Sequence, residues 1–280
     1  MPYQAEISRA NPSCFLFLID QSGSMSDLWG GSEGGESKAD GLAVIINRLL
    51  QNLVIKCAKS EGVRDYYHVG VIGYGMSVGP AFSGALAGRK LIPISEIANS
   101  PARIEERTKK VSDGAGGLVD QTIKFPVWFD PVASGGTPMC AALNLAKEIV
   151  QDWIAEHPSC FPPIVINITD GEATDGNPIG PANEIRGLTT SDGNVLLFNI
   201  HLSSIRVTPI EFPSNEEPLP DAFARLLFNM SSVLPPHLQN AAKQDGYDKI
   251  TEASRGFVFN ADIVAVIRFL EIGTRPSNLR

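Results

Sequence analysis

Four cysteines in 280 residues, none at C-x-x-C spacing, leave no framework for a disulfide-stapled fold and no thiolate cluster for zinc. Three of them, Cys14, Cys57 and Cys140, lie in or beside apolar periodic segments, and all four, Cys160 included, read as buried free thiols of a reducing compartment. No apolar stretch is long enough to cross a bilayer. The first thirteen residues are polar, and the short apolar run after them ends in Asp20, so no secretion signal is read there. A cytoplasmic, bacterial-type location is expected. Basic residues are also in short supply. Lys and Arg number 23 against 31 Asp and Glu, giving a net charge of −8. That balance argues against a nucleic-acid backbone or an anionic membrane as the main partner. Arg103, Arg107, Lys109 and Lys110 alternate with Glu105 and Glu106 and read as a solvated helix face. The glycine-rich stretch Trp29 to Gly35 lacks the Gly-Lys-Ser/Thr that a phosphate-cradling loop needs, and reads as a tolerant surface loop, with a mobile rim beside a site as the functional alternative. His68 and His201 have no imidazole neighbour in sequence and read as structural. No Ser-His-Asp arrangement can be assigned.

What remains is an ordinary globular composition, 43% hydrophobic and 19% charged, with short apolar runs that end abruptly in acids. Cys14-Phe15-Leu16-Phe17-Leu18-Ile19 suits a strand buried on both faces of a parallel sheet. It runs directly into Asp20-Gln21-Ser22-Gly23-Ser24. In open α/β sheets, ligands bind just beyond the carboxyl ends of the strands. Asp20, Ser22 and Ser24 offer hard oxygens at such a place, and Gly23 lets the loop curl so that they converge. Ile164-Val165-Ile166-Asn167-Ile168-Thr169 is a second buried run, ending in Asp170-Gly171. Ser134-Gly135-Gly136-Thr137-Pro138 brings a hydroxyl to the start of a helix. Oxygen-only ligation with few formal charges is what Mg²⁺ or a similar hard ion accepts.

These three stretches resemble the metal-ion-dependent adhesion site of von Willebrand factor type A domains, whose motif is D-x-S-x-S, then T, then D. Asp20, Ser22, Ser24, Thr137 and Asp170 match every position, and the resemblance spans about residues 14–271. It implies a Rossmann-like α/β fold, doubly wound, with a mostly parallel sheet of about six strands and helices on both faces. It implies Mg²⁺ at the five residues, with Mn²⁺ or Ca²⁺ as substitutes. The hydroxyls then bind directly, and the aspartates act partly through water. It further implies a protein partner whose Asp or Glu completes the ion. Short cytoplasmic bacterial members are found with PP2C-type phosphatases and kinases, including those of tellurite-resistance systems. An adaptor for an AAA-type ATPase, as in metal chelatases, is the alternative.

Along the chain, Ser37 to about Ser60 carries helix periodicity, with Ser37 and Asp40 as a cap-like start. Tyr66 to Tyr74 reads as a strand. Residues from about 82 to 133 read as an insertion, with a helix near 100–112 and an extended piece, Gln121 to Phe129, held at an edge by Pro126. Trp128 and Phe129 read as core. Thr137 to Glu156 reads as a helix with Thr137 as N-cap and Pro138 at its first position. Strands at Val195 to Leu202 and Gly256 to Asn260, and a helix from Ala261 to Glu271, complete one domain. An enzymatic alternative is phosphoryl transfer with Asp20 as nucleophile and Asp170 on Mg²⁺. That chemistry uses Asp-x-Asp after the first strand, and here Ser22 stands in place of the general acid. The expectation is therefore a binding module without catalysis.

Overall fold

The computed structural model describes residues 2–29, 35–112, 117–202 and 208–275. In order come β1 (Ser13–Asp20), α1 (Lys38–Cys57), β2 (Tyr67–Tyr74), β3 (Val78–Pro80), β4 (Ile92–Pro93), α2 (Ile94–Asn99), β5 (Arg103–Ser112) and β6 (Leu118–Val127). They are followed by α3 (Met139–Glu156), β7 (Ile164–Thr169), α4 (Ile179–Gly187), β8 (Leu196–Leu202), β9 (Ile210–Glu211), α5 (Ala222–Met230), α6 (Pro236–Gln244), β10 (Phe257–Ala261) and α7 (Ile263–Gly273). An eight-stranded sheet runs β9-β10-β8-β7-β1-β2-β3, with β4 also on β2. The inner five strands, β10, β8, β7, β1 and β2, are parallel. The three short additions at the edges are antiparallel; β3 falls where the sequence offers a short strand near 78–82, whereas β4 and β9, two residues each, carry no periodic signal.

Strand alternation decides the layers. Every residue of β1 is buried, and successive side chains point to opposite faces. Phe15, Phe17 and Ile19 pack with Leu42, Ile46, Leu50 and Leu53 of α1 and Phe269 of α7. Leu16 and Leu18 pack with Leu143 and Val150 of α3, Ile185 of α4 and Leu227 of α5. A continuous apolar run is thus required, since neither face of β1 meets water. Each such side chain contributes about 1.5–3 kcal/mol of burial. Helix α1 starts where its sequence says: the Ser37 hydroxyl accepts from the Asp40 amide at 3.1 Å and donates to the Asp40 carboxylate at 2.6 Å.

The stretch near 100–112 is a strand and not a helix. β5 and β6 form a separate two-stranded hairpin, paired from Arg103 with Val127 to Ser112 with Leu118. Residues two apart share a face of a strand but not of a helix. Glu105 accordingly accepts from both Arg103 at 2.8 Å and Arg107 at 2.7 Å. The Arg107 guanidinium lies 3.7 Å from the centre of the Phe125 ring. Pro126 sits in this hairpin opposite Ile104, where a missing amide is tolerated. After the hairpin, Trp128 and Phe129 are buried in the core as expected. Asn47 of α1 holds them there: its Oδ1 accepts from the Trp128 and Phe129 amides at 2.8 and 3.1 Å, and its Nδ2 donates to the Phe129 carbonyl at 2.7 Å.

Trp29 is also core, and not part of a rim. It is 2% exposed, its indole donates to the Ala261 carbonyl at 3.0 Å, and it lies so close to Gly41 that a Cβ there would fall 2.7 Å from its ring. The rim loop expected just beyond it, at 30–34, lies outside the described residues. The four cysteines are free, and among the described residues no helix is long and apolar enough to cross a membrane.

One buried group sets an expected pH dependence. His237 of α6 stacks edge-on against Phe161, and its Nδ1 has no hydrogen-bond partner among the described residues. Burial pushes its pKa down from 6.5 to about 4. The unfolded chain therefore takes up a proton that the folded chain refuses, and stability falls as pH drops from about 6.5 to about 4. Denaturant unfolding across that window will show a shallower loss for His237→Phe than for the parent; His201, likewise pushed down to about 4, preserves part of the slope. Identical slopes would contradict this assignment.

Candidate metal centre

Strand order reverses at β1: from it the chain crosses through α1 to β2 on one side, while β7 lies on the other and leads through α4 to β8. Asp20 closes β1, and Asp170 directly follows β7. Such a reversal leaves a crevice at the carboxyl ends of the strands. The loop after β1 is clamped on both sides of that crevice. The Gln21 amide donates to the Tyr74 carbonyl at 2.7 Å, the Ser134 amide to the Gln21 carbonyl at 2.7 Å, and the Gly23 amide to the Gly135 carbonyl at 3.0 Å. Two glycines permit this closeness. A Cβ on Gly75 would lie 2.5 Å from the Gln21 carbonyl oxygen, and one on Gly135, at φ +84°, would lie 2.5 Å from the Met76 amide nitrogen.

The structure brings the sequence-expected residues together. The Ser22 and Ser24 hydroxyls are 3.0 Å apart. Ser24 Oγ donates to Asp170 Oδ1 at 2.8 Å across 146 residues of chain. Asp20 is 1% exposed; its Oδ1 accepts from the Ser22 amide at 2.8 Å, and its Oδ2 accepts from the Thr169 hydroxyl at 2.7 Å. Thr137 is buried, and its hydroxyl lies beside Gly171, 4.0 Å from where a Cβ on that residue would be. Burial pushes the Asp20 carboxyl above its ordinary range, against the opposing hydrogen bonds from Thr169 and Ser22. Among the described residues no three His, Cys, Asp or Glu side chains cluster as a metal site. Any ion here depends on hydroxyls beside two carboxylates. That donor set is all hard oxygen, and a buried acid with a raised pKa is what a nearby cation would relieve.

Thr137 is not the cap of α3, which begins two residues later at Met139. The helix end is capped from another loop: Asp175 accepts from the Cys140 and Ala141 amides at 3.0 and 2.9 Å. Thr174 joins in, its hydroxyl accepting from the Thr137 amide at 3.0 Å and its amide donating to the Thr137 carbonyl at 2.9 Å. The helix terminus thus meets a carboxylate before it meets any cation, and the Thr137 hydroxyl is spared capping duty.

Four further residues serve the centre and were not assigned to it from sequence: Lys38, Thr169, Thr174 and Asp175. The Lys38 ammonium lies 2.5 Å from Asp170 Oδ2. His201, next to the last residue of β8, accepts at Nδ1 from the Asn260 amide at 3.1 Å and stacks on Phe259. At the outer surface Ser24 is exposed, and Met76, beside Gly135, is 80% exposed.

No family model and no curated protein matches the chain. Solved structures of similar shape include manganese-loaded TRAP of Plasmodium vivax, at 14% identity and TM-score 0.42, covering 98% of this chain and 77% of that one. The ArnB paralog VWA2 of Sulfolobus acidocaldarius aligns at 12% identity and TM-score 0.34, over 68% of this chain and 35% of that one. The three N-terminal domains of the pilus tip protein Mfa5 of Porphyromonas gingivalis align at 15% identity and TM-score 0.32, over 58% of this chain. This chain spans only 20% of that Mfa5 structure. Likeness at this level is no ground for assigning an activity.

The cross-loop cap has a measurable value. Asp175→Ala will lower stability by about 1 kcal/mol, which is roughly 2–4 °C in Tm for a chain of this size. Thermal unfolding followed by circular dichroism checks it. An unchanged Tm would mean that Asp175 does not carry the end of α3.

Proposed function

We propose that this chain is a von Willebrand factor A-type interaction module whose metal-ion-dependent adhesion site is built from Asp20, Ser22, Ser24, Thr137 and Asp170. The observation that carries this reading is the meeting of three loops at the β1/β7 reversal, where hydroxyls converge with the carboxylates of Asp20 and Asp170, both buried, without a histidine or thiol. Mg²⁺ is the proposed ion, with Mn²⁺ or Ca²⁺ as substitutes. Ser22, Ser24 and Thr137 would hold it by their hydroxyls, and Asp20 and Asp170 would balance its charge partly through water. When bound, the ion supplies an electrophilic position for an anionic oxygen. Neutral hydroxyls donate little charge, so that position favours a carboxylate brought by another protein. Thr169, held between Asp20 and Gly171, keeps the Asp20 carboxylate oriented. Thr174 and Asp175 keep Thr137 in place.

The proposed role is that of a cytoplasmic bacterial adaptor in a phosphorylation-linked signalling or stress response, its partner a phosphatase or kinase encoded alongside it. Nucleic acid and membrane are not proposed as partners, given the net charge of −8. The module is proposed to be non-enzymatic, because Ser22 offers no acid to a leaving group.

Calorimetry with Mg²⁺ and Mn²⁺ tests the ion. Asp20→Ala and Thr137→Ala will each weaken or abolish binding, and variants that bind as the parent does would rule out the site. Capture of partners with Mg²⁺ and again with chelator tests the interaction. Losing a charge-assisted contact to a partner carboxylate costs roughly 2–5 kcal/mol, so a carboxylate-bearing partner will be released by chelator. A partner retained without metal and by Ser22→Ala/Ser24→Ala would reduce any ion to a structural part. Assay with an aryl phosphate will show no turnover; turnover lost in Asp20→Asn would overturn the non-enzymatic reading.

A further inference from the structure

Lys38 breaks two rules at once. It opens α1, where the positive end of the helix dipole disfavours a cation. Its side chain is also only 3% exposed, although a lysine is rarely buried without a partner. The compensation is Asp170. The ammonium sits 2.5 Å from Asp170 Oδ2, and that carboxylate is 0% exposed. Asp27 lies farther away, 3.9 Å from the ammonium, and is 61% exposed, so solvent screens it. Asp170 thereby has both oxygens engaged, Oδ1 by Ser24 and Oδ2 by Lys38. Residues that violate local preferences in this way concentrate at functional sites.

The consequence is a matter of charge. Asp20 and Asp170 together offer two negative charges, and Lys38 cancels one of them. In a buried setting such a change is felt strongly by a nearby ion. With Lys38 present, adding a divalent ion leaves the centre with one net positive charge. Without Lys38, the same ion and the two carboxylates would balance, and nothing would remain to attract a further anion. We infer that Lys38 is a specificity-determining residue of this centre: it weakens the grip on the ion alone and makes occupancy depend on an anionic ligand arriving with it. This inference rests on the metal-site reading above and deepens it. It makes the pair of ion and partner carboxylate the true ligand, so that ion and partner bind cooperatively.

The experiment is calorimetric titration of the full chain with Mn²⁺, with and without tens of millimolar acetate as the carboxylate probe. The parent, Lys38→Met, Lys38→Arg and Asp20→Ala are compared. Methionine keeps the stem of the side chain and removes the charge. Lys38→Met will bind Mn²⁺ alone about tenfold more tightly than the parent or better, about 1.4 kcal/mol. Acetate will tighten Mn²⁺ binding to the parent and have much less effect on Lys38→Met. Lys38→Arg, which keeps the charge, will bind Mn²⁺ less tightly than Lys38→Met. A lysine that merely pinned the loop would give the opposite order, with Lys38→Met binding no tighter than the parent. That result overturns the inference, and so does a parent whose Mn²⁺ affinity ignores acetate, a measurement that needs no variant to fold. If the parent binds Mn²⁺ through Asp20 while Lys38→Met gains nothing, only this inference falls. If no form takes up Mn²⁺, the metal-site reading falls with it.

Discussion

Two carboxylates, Asp20 and Asp170, stand at the ends of neighbouring buried strands, and the rest of the structure answers to that placement. Like charges so arranged are costly unless each is hydrogen-bonded and some positive charge lies close. Asp20 is served by Thr169 and the Ser22 amide. Asp170 is served by Ser24 and Lys38. Thr169 closes β7, Ser22 and Ser24 lie in the loop after β1, and Lys38 opens α1, and the sheet reversal brings all four to one place. The pairing of β1 with β7 is therefore more than core packing: it sets the spacing of the two acids, and through Ser24 it ties the first loop to the third.

The second loop is held by a different device. Gly75 and Gly135 let backbones approach within distances that a side chain would forbid. Thr174 and Asp175 then fasten Thr137 and the end of α3 from across the crevice. The centre is consequently assembled from backbone contacts and short polar side chains on rigid elements, which keeps its hydroxyls ordered. His201, packed on Phe259 and pressed by burial toward its neutral form, fastens β8 to β10 through the Asn260 amide.

Much of this was legible in the sequence, and the failures have physical causes. β1 and β7 announce themselves as apolar runs that stop at an acid, because a strand buried on both faces has no other composition available to it. Helix α1 could be read from its period and from Ser37. Arg103 to Ser112 reads as a helix because alternating charges resemble a solvated helix face; the strand that pairs with it, β6, follows later in the chain, and the i, i+2 ion pairs of Glu105 count only once the strand is known. Thr137 reads as a cap because threonine is a good N-cap and proline suits the position after it, whereas the actual cap, Asp175, lies 35 residues beyond the Cys140 amide it accepts from. Trp29 looked like part of a loop because glycines follow it, yet its contacts are to Gly41 and Ala261. The pairing of Lys38 with Asp170 spans 132 residues and leaves no local trace except a cation at the wrong end of a helix.

The central claim is that the oxygens of Asp20, Ser22, Ser24, Thr137 and Asp170 hold a divalent ion in one place. Anomalous diffraction from crystals soaked in Mn²⁺ addresses this directly. A single strong peak is expected at the carboxyl ends of β1 and β7, within bonding reach of the hydroxyls of Ser22, Ser24 and Thr137. Crystals saturated with Mn²⁺ that show no peak there, or show their main peak at a site without Asp20 and Asp170, would contradict it.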